Sequence, residues 1–475
     1  MGAGVARDAA MRGLKTGLVE QRDFAFGTSS RSSRLLHGGL RYLAQGRVGL
    51  VREASVEKRI IHQIAPHLAA PLPFIFPTYR GNKHWVLWQL KIGVKIYDLL
   101  CSGRNLGKST WLDRNAVQAQ VPALAQQNLN GAVRYFDGFT NDARLVLDTL
   151  RSAEKHDAIL LNYVRFQSAA PKEFWECEVE DQLTQETLTV RTRSVVNATG
   201  PWADGLSHSA VKLRVTKGIH IVVERERVPV PDTVVMTEGK RILFAIPWGE
   251  RTILGTTDTD YSGDPNQVCA DAADIDYVLS ITNQFFPGAK LKPADVISCW
   301  AGLRPLVADP NGKPSDISRS HEIQSPKANW WDIAGGKLTT YRLMAEQAVD
   351  RIVRELNVAT HVTLPCRTAQ EPLLPREEIN GFSGVLPPLF NRHAVEHYCT
   401  KEWAMHLDDV MLRRTSWHYY HRDAAQKAEQ VADWMGELLN WTEEQRAEEL
   451  ARYRELTSLP TVEVNQAQSL SHVAN

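Results

Sequence analysis

Three rhythms of apolar and polar positions run along the chain. Val5, Ala6, Ala9 and Ala10 recur at the i, i+4 spacing of a packed helix face, Gly13 turns the chain, and residues 16–20 (TGLVE) read as a strand ending in an acid. Residues 47–65 place Leu50, Val51, Ala54, Ile60, Ile61 and Ile64 on one helical stripe that stops at Pro66. Residues 67–77 are proline-rich and extended, as at a crossing into a second domain. Helical spacing returns over 142–153 with Leu145, Val146 and Leu150, and 175–190 read as strand, turn, strand. From 205 to 305 the period is two: KGIHIVV at 217–223, then 241–248 and 252–257, alternate with β-branched residues, predicting most of a sheet. The apolar strands VVNATGPW (195–202) and WWDIA flank this region, the second running through GGKLTTYR into a helix. After a turn-rich stretch at 365–388, residues 393–456 are helical with Leu407, Val410 and Met411 on one face; 458–475 are polar and expected to be disordered.

These rhythms predict an α/β protein: a Rossmann-like nucleotide-binding domain from 1–66, 130–204 and 295–356, a β-sheet substrate or cap domain from 67–129 and 205–294, a linker at 357–390, a small C-terminal helical domain at 391–457 and a tail at 458–475. The segment around which the chain is organised is 28–43, TSSRSSRLLHGGLRYL. Its hydroxyls (Thr28, Ser29, Ser30, Ser32), then His37, Gly38, Gly39 and Leu40, let backbone and side chains approach a flat ligand, and Arg41 and Tyr42 follow. Glu20 follows Gly2 at close to the ~20 residues at which a dinucleotide fold presents an acid to a ribose hydroxyl. Gly2 reads as the third glycine of GxGxxG, so the strand and first two glycines of the fingerprint are expected upstream of Met1. Thr199 and Gly200 end an apolar strand where a nucleotide meets no obstruction, and Gly336, Lys337, Leu338 and Thr339 form a Gly-rich turn at a helix start, suited to an anion or a reduced flavin edge.

Charge narrows the field. Lys plus Arg and Asp plus Glu are 55 each, so nothing in the bulk charge attracts nucleic acid or anionic lipid, and any anion site is local. The six cysteines form no CxxC pair, which argues against a zinc cluster or a disulfide framework; no metal site is expected. The first twenty residues lack the apolar core of a signal peptide. Residues 84–100, HWVLWQLKIGVKIYDLL, carry Lys91, Lys95 and Asp98 and are too short to span a bilayer; they read as a helix packed on its own protein, the other reading being an interfacial helix with Trp85, Trp88, Leu90, Ile92 and Ile96 toward lipid. Asp408, Asp409, Arg413 and Arg414, at i, i+4 and i+5, read as surface or interhelical ion pairs rather than a site.

GVARDAAMRGL, LVEQRDFAFGTSSRSSRLLHGGLRYL, SVVNATGPW, KGIHIVV, AIPWGERTILGTTDTDY, AGLRPL and GGKLTTYR, in this order, resemble the FAD-dependent glycerol-3-phosphate dehydrogenases, and EWAMHLDDVMLRRTSW resembles that family's helical domain. The resemblance implies FAD, oxidation of sn-glycerol 3-phosphate to dihydroxyacetone phosphate, and electron transfer to a quinone. It implies a cytoplasmic protein, peripheral on the inner face of the cytoplasmic membrane, with oxygen as the alternative acceptor and a homodimer left open. His220, which alone would be read as a structural histidine, becomes the expected base. Arg304, in AGLRP and expected in a loop, becomes the group that orients the substrate oxygen, with Arg41, Tyr42, Lys217, Arg319 and Lys337 as phosphate and flavin-edge contacts. Two rivals remain: a flavin enzyme of another 2-hydroxy acid or an amine, and a non-catalytic remnant that has lost tight FAD binding.

Overall fold

The computed structural model describes residues 1–43, 46–101, 105–307, 321–357 and 364–459. The first helix, Gly2–Met11, is wedged between two others because its small residues fall in two rows. Ala3, Ala6 and Ala10 meet Leu147, Leu150 and Ala153 of the helix Asp142–Glu154, while Val5 and Ala9 meet Met344, Ala345, Ala348 and Val349 of the helix Tyr341–Glu355. The approach is close: a Cβ on Gly4 would lie 3.1 Å from that of Ala345. The strand Gly17–Glu20 pairs in parallel with Ile159–Asn162, and Val195–Asn197 with Trp330–Gly335. A Cβ on Gly2 would touch both Leu18 and Ala198, so the helix starts against both parallel pairs. This is the nucleotide-binding half that the rhythm of 1–20 predicts.

The second domain is built on a ten-stranded sheet. Leu213–Glu224 lies between Arg251–Gly255 on one side and Ser298–Val307 on the other, all antiparallel, and the sheet continues through Arg241–Trp248, Thr233–Glu238, Ala70–Tyr79 and Leu129–Phe139 to the short strand Leu35–Leu36. The boundary expected at 130 falls inside Leu129–Phe139 and that at 295 in the turn Pro293–Asp295, just ahead of Ser298–Val307, so the sheet draws on segments from both sides of each. Arg304, expected in a loop, sits inside Ser298–Val307. The loop reading rests on Pro305 and Gly302, but among the described residues this strand pairs on one side only, with Leu213–Glu224, so the missing proline N–H costs little. One face packs on the helix Ala272–Phe285, whose capping box of Asp271 and Asp274 the β-rich reading passed over. The other face carries Tyr42, Tyr97, Trp248, Trp300 and Tyr419.

The helices Arg392–Lys401, Ala424–Leu439 and Glu443–Thr457 form the C-terminal domain around Leu407, Val410, Met411 and Trp417. The charges of 408–414 are not on the surface. Arg413 and Arg414 both reach Asp23, three residues beyond Glu20, the second at 2.7 Å, and Arg413 also meets Asp408 and Asp409; all five side chains are buried. A second buried pair, Arg144–Glu402, joins the helix Asp142–Glu154 to the same domain. Their partners lie hundreds of residues away, so local spacing could not reveal the burial.

Candidate active site

The 28–40 segment is fixed atom by atom. Thr28 Oγ1 donates to the carbonyl of Leu303 at 2.7 Å, Ser30 is buried in the short helical turn Thr28–Ser30, and Ser29 lies beside it, half-buried. The Ser32 amide donates to Asp142 at 2.9 Å, and its carbonyl accepts from Trp300 Nε1 at 3.2 Å. The His37 amide donates to Thr339 Oγ1 at 3.0 Å, which stitches the segment to the turn Leu338–Thr340. Beneath Gly38 lies a buried network: its amide donates to Tyr97 Oη at 2.8 Å, Tyr97 donates to Asp137 at 2.5 Å, and Lys58 Nζ is 2.7 Å from the same carboxylate. A Cβ on Gly38 would sit 2.4 Å from that phenol oxygen, so only glycine fits. Gly39, at φ +81°, turns the chain so that Tyr42 lies against it and Lys337 Nζ stands 4.1 Å from the Tyr42 ring centre; Leu40 is buried alongside.

The sheet places the chemistry. Register pairs Thr216 with Arg304, Gly218 with Gly302 and His220 with Trp300, so these residues share one face. His220 is 2 % exposed, stacks on Trp300 with ring centres 5.2 Å apart and planes at 19°, and its Nε2 is 2.8 Å from Ser33 Oγ; its Nδ1 has no hydrogen-bond partner among the described residues. Burial, then Arg304, then Arg34, push its pKa down to about 3, so the imidazole is neutral. Arg304 lies across Gly218, donating to Thr256 Oγ1 at 3.0 Å and to Asp258 at 3.1 Å. Lys217 belongs to the opposite face, where its ammonium pairs with Asp274 at 2.6 Å and Asp271 at 2.9 Å; against the pull of burial, these carboxylates hold its pKa above the ordinary value. Alternation alone would have separated Lys217 from His220. Arg319 and the side chain of Arg41 lie outside the described residues. Ser33, Trp300, Gly218 and the Lys58–Asp137–Tyr97 network escaped the sequence reading; Ser33 stood inside the quoted segment, but the others needed the register of the sheet or contacts across the fold.

The nucleotide half suits a dinucleotide. Glu20 ends its strand half-buried, accepts one backbone N–H, that of Arg22, and burial lifts its carboxyl to about 7: an acceptor short of donors, as a ribose diol would supply. Thr199 Oγ1 is held by Asn197 at 2.8 Å, and Gly200, at φ +63°, leaves open space where a Cβ would project. Gly335 and Gly336, at φ +72° and +78°, bend Trp330–Gly335 into the helix that follows. Glu20, Gly2, Thr199 and Gly200 fit the nucleotide of FAD; residues 37–40 and 336–339 fit its flavin.

A parallel nucleotide-binding half joined to a large antiparallel sheet is the architecture of the two-domain flavin oxidoreductases. The FAD dependent oxidoreductase family matches residues 1–346, and the C-terminal domain of alpha-glycerophosphate oxidase matches residues 387–446. Glycerol-3-phosphate dehydrogenase of Mycobacterium leprae is 35% identical, over 95% of this chain and 86% of the relative; aerobic glycerol-3-phosphate dehydrogenase of Staphylococcus aureus is 36% identical, over 77% and 68%. The solved structure of the glycerol-3-phosphate dehydrogenase from Bacillus halodurans complexed with FAD superposes with a TM-score of 0.77 at 29% identity, covering 95% of this chain and 91% of that one. The chain belongs to the FAD-dependent glycerol-3-phosphate dehydrogenase family.

Proposed function

We propose that this enzyme oxidises sn-glycerol 3-phosphate to dihydroxyacetone phosphate and passes the electrons to a membrane quinone. The observation that carries the reading is the shared face of His220 and Arg304, a neutral imidazole beside a fixed cation. FAD, when bound, supplies the two-electron acceptor for the hydride that leaves C2. His220 takes the hydroxyl proton, which a neutral ring can do across the whole physiological range. Arg304 orients the substrate oxygen and stabilises its developing charge by fork-like hydrogen bonds. Lys337 and Tyr42, in contact beside Gly39, hold the substrate's phosphate or the flavin edge, with Arg41 and Arg319 assigned the same task on the resemblance alone. Lys217, committed to Asp271 and Asp274, acts on the far face of the sheet. The test is anaerobic: His220→Gln is expected to slow reduction of the bound flavin by glycerol 3-phosphate by at least a hundredfold, and a rate within a few-fold of wild type would remove His220 as the base.

The acceptor side rests on the helix Leu87–Leu100. Its inner face, through Tyr97, holds Gly38, while Trp88, Ile92, Ile96 and Leu99 form a stripe turned to solvent, Trp88 at 61% and Leu99 at 74% exposed, with Lys91 and Lys95 along one flank. Among the described residues no helix is long and apolar enough to cross a membrane, and this stripe suits one that lies in an interface. Flotation with anionic quinone-bearing vesicles is expected to carry the wild type upward and to leave Trp88→Ser/Ile92→Ser at the bottom; no flotation of wild type would count against quinone and for oxygen.

A further inference from the structure

Behind the Trp300–His220 stack the C-terminal domain supplies a wall. Arg34, 2 % exposed and at φ +57°, points its guanidinium over Trp248 at 4.5 Å and Trp300 at 5.4 Å from the ring centres. Its Nη2 donates to Ser416 Oγ at 3.0 Å, whereas Nε and Nη1 are buried with no hydrogen-bond partner among the described residues. Burying a guanidinium with donors unpaired costs free energy, which the two ring faces offset only in part. Tyr419, three residues beyond Ser416, meets Trp300 edge to face at 5.1 Å, and its carbonyl accepts from Ser298 Oγ at 2.9 Å. Two contacts from one segment of the C-terminal domain thus converge on the ring stacked against His220.

We propose that Arg34, pinned by Ser416 of the C-terminal domain, is a positioning residue for His220: it fixes the Trp300–His220 stack and holds a positive charge behind it. The inference deepens the reading of His220 as the base and rests on it for its catalytic meaning. The groups facing His220 are Ser33 and Arg34 from the 31–34 loop, Arg304 and Trp300 from one neighbouring strand and Gly255 from the other. Asp258 faces Arg304, and Asp142 and Tyr419 face Arg34. Asp258 hydrogen-bonds Arg304, whereas among the described residues no carboxylate hydrogen-bonds Arg34, whose charge is met instead by Asp142 without a hydrogen bond. Ser33, the neighbour of Arg34, holds His220 Nε2, so the same loop sets both the ring's orientation and its field.

The test uses the FAD-loaded enzyme and two readouts. Deuterium exchange at the imidazole C2 carbon, followed by mass spectrometry of the His220 peptide, reports the proton affinity of this ring whether or not it is the base. Wild type is expected to show a flat, slow profile from pH 5 to 8. Removal of a neighbouring like charge in Arg34→Met should raise the ring's proton affinity by on the order of one unit, seen as about tenfold faster exchange. Arg34→Lys keeps the charge and should remain near wild type, and Ser416→Ala, which deletes one hydroxyl and spares the fold, should fall between. Anaerobic flavin reduction should follow the same order. Exchange in Arg34→Met and Ser416→Ala within twofold of wild type overturns the proposal, as does Arg34→Lys behaving like Arg34→Met. If His220→Gln leaves reduction intact while the exchange order holds, the base assignment fails and the positioning of the ring stands.

Discussion

At the scale of single residues, the site depends on groups that leave room for others. Gly218 is the sharpest case: a Cβ there would lie 2.2 Å from Arg304 Nη2, so the absent side chain is what lets the guanidinium cross the strand toward His220. Gly218→Ala is expected to displace Arg304 and to slow flavin reduction by about tenfold or more, since misplacing a group by an ångström is enough to do so. Strand geometry at this position tolerates alanine, so the thermal midpoint should move little. Stopped-flow reduction within twofold of wild type would show that Arg304 need not occupy this place. His220 makes a second prediction. Its pKa is pushed down to about 3 by burial and two cations, so if the neutral ring is the base, activity is expected to fall only as pH approaches that value. The rate of reduction should show no inflection near the ordinary histidine value of ~6.5; a midpoint there would mean that the ring is solvated in the working enzyme.

Among elements, legibility followed the range of the contacts. The helix Gly2–Met11, the strand Gly17–Glu20 and the helix Val48–Ile64 were readable because each is set by its own periodicity. The 28–43 segment suggests a cofactor contact through its composition, which is local. Ser298–Val307 was not readable, since Gly302 and Pro305 obey turn statistics while ten paired positions with Leu213–Glu224 decide the outcome. The charges at 408–414, expected as surface or interhelical ion pairs, are ion pairs but buried ones, because their partner Asp23 stands beside the nucleotide-binding strand. That contact makes a prediction at its own scale. Arg414→Met removes one partner from a buried, hydrogen-bonded pair and should cost ~3 to 5 kcal/mol, while Asp23→Asn combined with it should recover part of the loss. Urea unfolding measures both, and a single-variant cost below about 1 kcal/mol would mean that water already enters this interface.

At the scale of the molecule, the C-terminal domain is fastened by carboxylates whose titration sets when it can leave. Burial alone would raise the pKa of Glu402, but Arg144 outweighs it and holds the carboxyl far below the ordinary value; Asp23 and Asp408 are likewise lowered by Arg413 and its neighbours. Groups depressed in the folded state contribute stability that is full above the ordinary carboxylate range of ~4 and is lost as pH falls below it. Asp409 runs the other way, raised by burial and by Asp23, and so blunts the dependence without reversing it. Acid should therefore loosen the docking of this domain before the sheet unfolds, because the buried core around Ile219, Val234 and Leu254 is built of apolar side chains. Limited proteolysis in the 364–391 connection, run from pH 7 down to 3.5 with an acid-tolerant protease, should show cleavage rising below pH ~4 while the ten-stranded sheet keeps its circular dichroism. Glu402→Gln cannot titrate, and in that variant the onset should be shallower even though the domain is less firmly held at pH 7. Cleavage with the same steepness in both proteins would assign the acid response to some group other than this pair.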